Sequence, residues 1–367
     1  MVYRLMKSGL ISWAIAACSS VAVQACTTDY TVSPGDTLTR IAEREMGSVF
    51  AIETIFQANA HIIGTNPNHI QVGQVLTLPC ADVATRDIDW TVMPTPEALA
   101  SLRAATDVQV LDIRAPKQHA AGVVPGAISI PYAEWRGPKS NRGRPPSEDR
   151  IAALIGSAGL RLDAPIVIVH DRAKPMQTGS AAVVYWILKS SGADQLAILR
   201  GGFRAWDAAG LPVSQDVSSA TPYAAQVTFD WTWRADEVTV FGIATDQVPG
   251  ALLDARPHGM FAKVDTLGRA LATTLPGAKN LPAPPLMSAL RGTVDVEDGV
   301  ATVVEAFADI APEDMAGEVV TFCSEGELGA LNWFYASELA RIPNIKLYPE
   351  SVKGWTAAGG MLFAASQ

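Results

Sequence analysis

Beyond its opening segment, the 367-residue sequence contains no run of about 18 uninterrupted apolar residues, so nothing in the body reads as a transmembrane span. Cations are few: 28 Lys and Arg face 37 Asp and Glu, for a formal net charge of −9. No basic run stands out, which leaves nucleic acid without an electrostatic footprint. The five histidines, His61, His69, His119, His170 and His258, are scattered without metal-ligand spacing. No cofactor is implied, and no G-x-S-x-G serine motif is present. Cysteine is limited to Cys18, Cys26, Cys80 and Cys323. What remains is a globular composition, 49% hydrophobic and 18% charged, with room for two or three domains.

Residues 1–25 read as a signal peptide, and an exported, periplasmic or cell-envelope protein is expected. Arg4 and Lys7 form a positive start, "LISWAIAA" an apolar centre, and Val23, Gln24 and Ala25 a small-residue cleavage site. The run "IAAC" ending at Cys18 resembles a lipobox and offers lipoprotein processing as the other route. Cleavage after Ala25 leaves an odd number of cysteines in an oxidising compartment, which means a pair and one free thiol. Cys26 and Cys80 bracket a domain-sized segment and form the natural disulfide; Cys323 is left over.

Residues 26–80 stand apart. A strand at Tyr30–Val32 meets the turn Pro34-Gly35-Asp36, and Asp36 or Thr37 can cap a helix carrying Leu38, Ile41 and Ala42 on one face. Ile52, Ile55, Phe56 and Asn59 mark a second helix, and "QVGQVLTLP" alternates as a strand. So small a βααβ unit has a marginal core, which a staple across its ends would reinforce. The opening at Tyr30–Leu38, Asn59 before the loop, and the ending Val72–Pro79 resemble the LysM module. That resemblance implies binding of N-acetylglucosamine-containing glycan, peptidoglycan in bacteria. The groove would lie between Gly35, Asp36, Thr37 and Leu38 on one side and Ile70, Val72 and Gly73 on the other.

The remainder contains an internal repeat. "VLDIRAPKQHAAGVVPGAISIP" (110–131) recurs, with an insertion, at 252–282 as Leu-Asp-x-Arg, Pro-Gly-Ala, an apolar residue and Pro. Each copy continues with a buried-strand run (166–170; 319–323), a helical stretch (179–192; 329–340), a further strand and a tryptophan, Trp206 or Trp355. Alternating strands and helices predict an α/β architecture of parallel sheets covered on both faces. The expected domains are 81–214 and 251–367, with 215–250 as connector and start of the second copy.

Cys323 ends a strand, where parallel sheets place their ligand sites. The loop Ser324, Glu325, Gly326, Glu327, Leu328 and Gly329, before a helix starting near Gly329, could turn backbone N–H groups inward as an anion cradle. Gly326 permits the left-handed turn this needs, and the thiol is expected to be exposed and partly ionised near neutrality. Together with "LDIR…VPGAISIP" and "LRGGFRAW" (199–206), these features resemble the tandem rhodanese-family sulfurtransferases. The resemblance covers roughly residues 90–365. It implies that Cys323 takes sulfur from a sulfane donor, thiosulfate or related, carries it as a persulfide, and passes it to a thiol or cyanide acceptor. The first copy, with His170 and Asp171 in place of the thiol, is expected to be catalytically silent.

Departures from the family pattern accompany the match. Glu325 and Glu327 occupy a loop that is basic in thiosulfate-preferring relatives; solvent-facing carboxylates are expected here. Arg256 matches a cleft arginine that could bind the donor's anionic end, yet Asp112 and Arg114 repeat the same Asp-x-Arg in the silent copy and suggest an ion pair with Asp254. A second substrate-binding arginine is missing: Met260 and Phe261 stand there, with Lys263 and Arg269 as remote replacements. A phosphatase on this fold would need a loop arginine, and residues 324–329 contain none. The rival from another class is a non-catalytic, wall-bound binding or scaffold protein whose Cys323 is inert or redox-sensing.

Overall fold

The computed structural model describes residues 27–38, 40, 41, 45, 52–64, 69–79, 90–105, 107–218, 221–292, 296–309 and 317–365. The segment read as a signal peptide, Cys18 and the expected Cys26–Cys80 pairing lie outside them. The described residues fall into two compact units, divided after Thr85.

In the amino-terminal unit, β1 (Thr27–Thr31) pairs antiparallel with β2 (Val75–Pro79), Thr27 opposite Pro79 and Thr31 opposite Val75. The expected order is present: residues 38, 40, 41 and 45 are helical and the second helix runs Ile52–Ile63. β1 begins earlier than the motif suggests and ends one residue before Val32. Thr37 caps the first helix, its Oγ1 accepting from the Arg40 N–H at 3.2 Å. Asp36 instead ties the turn, accepting from Ser33 N–H (2.8 Å) and Tyr30 O–H (2.5 Å). Val32, Leu38, Ile41, Ile55, Ile63, Leu76 and Leu78 form the core. Buried Asn59 locks helix to strand: its amide donates to the Ile55 and Thr77 carbonyls, both at 2.7 Å, and its oxygen accepts from Thr77 N–H at 2.7 Å.

The second unit contains two four-stranded, all-parallel sheets of the same strand order. In the first, β3 (Gln109–Asp112), β4 (Ile128–Ser129), β5 (Ile166–Val169) and β6 (Leu196–Ile198) lie as β4-β3-β5-β6. In the second, β7 (Gly250–Asp254), β9 (Lys279–Asn280), β10 (Glu318–Phe322) and β11 (Ile345–Leu347) lie as β9-β7-β10-β11. The insertion of the second copy adds β8 (Ala272–Thr274), which pairs antiparallel with β12 (Phe363–Ala364). Every residue of β5 is buried, as an unbroken Ile-Val-Ile-Val run covered on both faces requires.

The repeat extends to details. Arg114 donates to Asp112 and to the Gly122 carbonyl, and Arg256 donates to Asp254 and to the Thr273 carbonyl, each at 2.9 Å to the carbonyl. These pairs are buried, so removing either partner strands a charge and costs about 3–5 kcal/mol. The indole N–H groups of Trp206 and Trp355 donate to Pro212 and Met361 carbonyls, both at 2.8 Å and six residues on.

Two helices differ from expectation at both ends. The helices after β5 and β10 begin earlier, at Pro175 and Glu327; the first runs to Ser190, and the second ends at Phe334 in a π turn, Tyr335–Leu339. Residues 215–250 divide between the copies: Tyr223 and Phe229 bond to Gly156, Leu160 and Glu148 of the first. Ala235 N–H and the helix Glu237–Ala244 join the second. The helices Pro175–Ser190 and Glu327–Phe334 meet so closely that a Cβ on Gly179 would stand 2.6 Å from the Glu327 carbonyl oxygen. Tyr185 adds an edge-on contact to Phe334 at 5.0 Å between ring centres.

Asn59→Ala would remove three hydrogen bonds and leave the half-buried Thr77 N–H and C=O without their side-chain partner, a loss of about 2–3 kcal/mol from the amino-terminal unit. Urea unfolding of the full chain should show that unit's transition moving to lower denaturant while the other stays in place.

Candidate active site

Cys323 is the first residue beyond β10, an interior strand of its sheet. Four residues, Cys323 to Gly326, separate the strand from the helix, a tighter loop than the sequence suggests. The tightness has a local cause. Gly326 takes φ +114, open only to glycine at low cost. Gly329 packs the helix onto the strand, and a Cβ there would lie 2.9 Å from the Phe322 Cα.

Successive carbonyls of the loop are held outward by donors from elsewhere. Cys323 C=O accepts from Val352 N–H (3.1 Å), Ser324 C=O from Lys353 N–H (3.2 Å), and Glu325 C=O from Arg136 Nη2 (2.8 Å). With the peptides turned this way, the Gly326 N–H meets Cys323 Sγ at 3.1 Å. The N–H groups of Gly329 and Glu325 also act on the sulfur. The Cys323 N–H donates to Ser351 Oγ at 3.1 Å. Ser351 is itself buried at φ +56, a left-handed conformation that costs a non-glycine residue roughly 1–3 kcal/mol.

The inward amides agree with the sequence reading; the exposed, partly ionised thiol does not. Cys323 is 2% exposed. Burial pushes its thiol up from the ordinary cysteine range, the Glu327 carboxylate adds to that, and the Gly329, Gly326 and Glu325 amides pull against both. In the resting protein the neutral thiol is favoured at neutral pH.

The two loop carboxylates are each neutralised. Glu325 is held by Lys353 Nζ at 2.8 Å, and that bond keeps its carboxyl below the usual range. Glu327 does not face solvent. It turns into the junction of the two copies, where Arg136 Nη2 (3.1 Å) and Tyr132 O–H (3.1 Å) reach it from the first copy. Burial and the Glu327 charge in turn push Tyr132 well up.

Arg256 is not at the loop's disposal: it is buried and committed to Asp254 and Thr273, the ion-pair reading of Asp-x-Arg. Of the proposed loop residues, Gly326, Leu328 and Gly329 are buried, while Ser324, Glu325 and Glu327 are half-buried. The residue that sequence reasoning missed is Arg136. It lies 189 positions before the carbonyl it holds, and only the docking of the two copies brings them together.

The matching loop of the first copy, His170 to Lys174, has no thiol. His170 is buried, with Nδ1 3.1 Å from the Arg172 carbonyl, and burial lowers its pKa to about 4, so it is neutral at physiological pH. Asp171 pairs with Arg172 at 2.7 Å, not with His170.

In the amino-terminal unit, Gly35 and Gly73 have φ of +87 and +86 and shape two neighbouring turns, linked by the Gly73 N–H to the Val32 carbonyl at 2.8 Å. Val72 is exposed, Ile70 packs on the edge of the core, and Leu38 belongs to that core. Leu38 therefore lies beneath these turns.

Comparison with known proteins agrees with this geometry. Residues 95–209 match the Rhodanese-like domain family, and residues 30–79 match the LysM domain family. A putative thiosulfate sulfurtransferase of Synechococcus elongatus is 25% identical over 262 residues, 68% of this chain and 77% of that one. The putative thiosulfate sulfurtransferase SseB of Mycobacterium tuberculosis is 28% identical over 283 residues, 71% of this chain and 92% of its own. Among solved structures, SseA from Escherichia coli, of the 3-mercaptopyruvate sulfotransferases, superposes with TM-score 0.58 at 19% identity, over 71% of this chain and 98% of that one. Tum1 of Saccharomyces cerevisiae gives 0.57 at 18% identity, over 73% and 95%. At such identities the structural likeness establishes the fold. The strand-loop-helix site and these relatives define a rhodanese-type sulfurtransferase. The chain joins a Rhodanese-like domain, matched at residues 95–209, to a LysM domain, matched at residues 30–79.

The raised thiol has a measurable signature. Alkylation of Cys323 by iodoacetamide should keep accelerating as pH rises past the ordinary cysteine range, instead of levelling near neutrality. Glu327→Gln removes a negative charge that raises the thiol, so the profile should move to lower pH; a shift upward would contradict the arrangement.

Proposed function

We propose that the chain is an exported sulfurtransferase that moves sulfane sulfur from a small anionic donor, thiosulfate or a relative, to a thiophilic acceptor through a Cys323 persulfide. The observation that carries this reading is the Gly326 N–H at 3.1 Å from Sγ, within a loop whose carbonyls are held outward.

The ionised sulfur attacks the outer sulfur of thiosulfate. A new S–S bond forms, the donor's S–S bond breaks, and sulfite leaves with the electron pair. The charge then rests on the terminal sulfur of the persulfide, beside the same N–H groups. An acceptor such as cyanide attacks that sulfur, the Cys323–S bond breaks, and the thiolate returns. Lys353 and Arg136 cancel the loop carboxylates that would otherwise repel an anionic donor.

The burial and raised pKa of the thiol favour the second reading, a wall-bound binding or scaffold protein with an inert or redox-sensing Cys323. Mass spectrometry separates the two. Incubation with thiosulfate, 3-mercaptopyruvate or polysulfide should add one sulfur at Cys323, and Cys323→Ser should lose both the adduct and thiocyanate formation while retaining its circular dichroism. No added sulfur from any donor would leave the second reading.

The LysM domain supports retention on peptidoglycan through Gly35, Asp36, Thr37, Ile70, Val72 and Gly73. Sedimentation with purified peptidoglycan should deplete the full chain from the supernatant but not a form lacking residues 26–80. Equal free fractions would end the proposal.

A further inference from the structure

The first copy presents a cleft beside the Cys323 loop that has no carboxylate in its lining. It measures about 660 Å³ and is lined by Arg136, Lys139, Arg142, Arg144 and Arg150, with prolines between them. In a chain of net charge −9, five cations on one surface are a local reversal of sign. Arg136 is used by Glu327 and Arg150 by Glu134. Among the described residues Lys139, Arg142 and Arg144 form no ion pair, and their side chains are exposed.

The cleft adjoins the Cys323 loop, because Arg136 in its wall holds the Glu325 carbonyl and the Glu327 carboxylate. It shares Arg136, Arg142 and Pro145 with a small cavity of about 10 Å³, whose wall includes Gly326, the residue whose N–H meets Sγ. Arg142 is near enough to the loop to act on the Glu325 carboxylate. The cleft is held there by backbone: Gly143 lies so close to the segment before Ser351 that a Cβ would stand 2.0 Å from the Pro349 carbonyl oxygen. Lys353 also reaches across to the Lys139 carbonyl at 3.3 Å.

Resting on the sulfurtransferase reading, we infer that this cleft binds the anionic body of a low-molecular-weight organic persulfide bearing two or more carboxylates, and that Lys139, Arg142 and Arg144 set this specificity from the silent copy. The volume falls within the roughly 300–1,000 Å³ of sites for ligands well beyond a five-atom anion. Three unpaired cations along one wall suit separated carboxylates better than a compact dianion. In the transfer, the Cys323 thiolate attacks the outer sulfur of R–S–SH. The S–S bond breaks, the electron pair leaves on the inner sulfur, and the released thiolate takes up a proton, so no outside oxidant or reductant enters.

Glutathione persulfide serves as the carboxylate-bearing probe, benzyl persulfide as the one without carboxylates and thiosulfate as the compact dianion. On the full chain, Arg142→Glu with Arg144→Glu should lower the ratio of kcat/KM for glutathione persulfide over benzyl persulfide by about tenfold or more. Arg142→Lys with Arg144→Lys should restore most of it, and added salt should erode the wild-type preference. The ratio for thiosulfate over benzyl persulfide should fall less. A ratio that stays constant in the charge-reversed chain, or thiosulfate and glutathione persulfide declining by one common factor, would overturn the inference. Calorimetry with S-methylglutathione, which has no sulfur to give, reads the cleft apart from the chemistry. Binding that weakens on charge reversal upholds the cleft even where Cys323 takes no sulfur, and an absence of wild-type binding at millimolar ligand refutes it.

Discussion

The site depends on which way the peptides of one short loop face. A strand end followed by a helix has N–H and C=O groups to dispose of in a few residues, and a buried sulfur tolerates only one of them as neighbour. Here Val352, Lys353 and Arg136 take the carbonyls. What is left for the sulfur is a set of donors. This arrangement opposes the burial that favours the neutral thiol, and its stabilising effect is greatest for whatever negative charge is placed there. The groups that hold the carbonyls come from the helix Ser351–Ala357 of the same copy and, as Arg136, from the other copy, so the cradle exists only in the assembled second unit.

Duplication explains how two similar halves came to hold different offices. Both keep the strand order, the Asp-x-Arg ion pair and the tryptophan anchored six residues on. The first has a neutral buried histidine where the second has its thiol, yet it contributes Arg136 and Tyr132 to the loop of the second. Contact at Gly179 leaves no room for a side chain between the helices. The halves are coupled by backbone approach as well as by charge.

Much of this was legible in the sequence. Repeated Leu-Asp-x-Arg and Pro-Gly-Ala segments located both sheets, because buried parallel strands leave unbroken apolar runs. Cys323 was found by its place at a strand end, and the LysM unit by its turns and its Asn59. What was hidden were distances that topology alone sets: Arg136 is remote from Glu325 in sequence, and neither burial of the thiol nor the turn of Glu327 toward the first copy follows from local pattern. The cations of 136–150 were visible as letters, but scattered among Gly, Pro and Ser they formed no run; the fold gathers them on one wall. The helix after Cys323 starts early because Gly326 ends the loop in a single left-handed step.

Ser351 occupies the place where the first copy has Gly202, at φ +66, and it adopts nearly the same left-handed backbone. A glycine there would relax the chain, and natural drift toward stability would favour it. The hydroxyl kept in its stead receives the amide of the sulfur-bearing residue. The second copy thus retains a locally unfavourable torsion as the cost of fixing where its thiol points, and a variant library selected for thermal tolerance alone would be drawn to erase it.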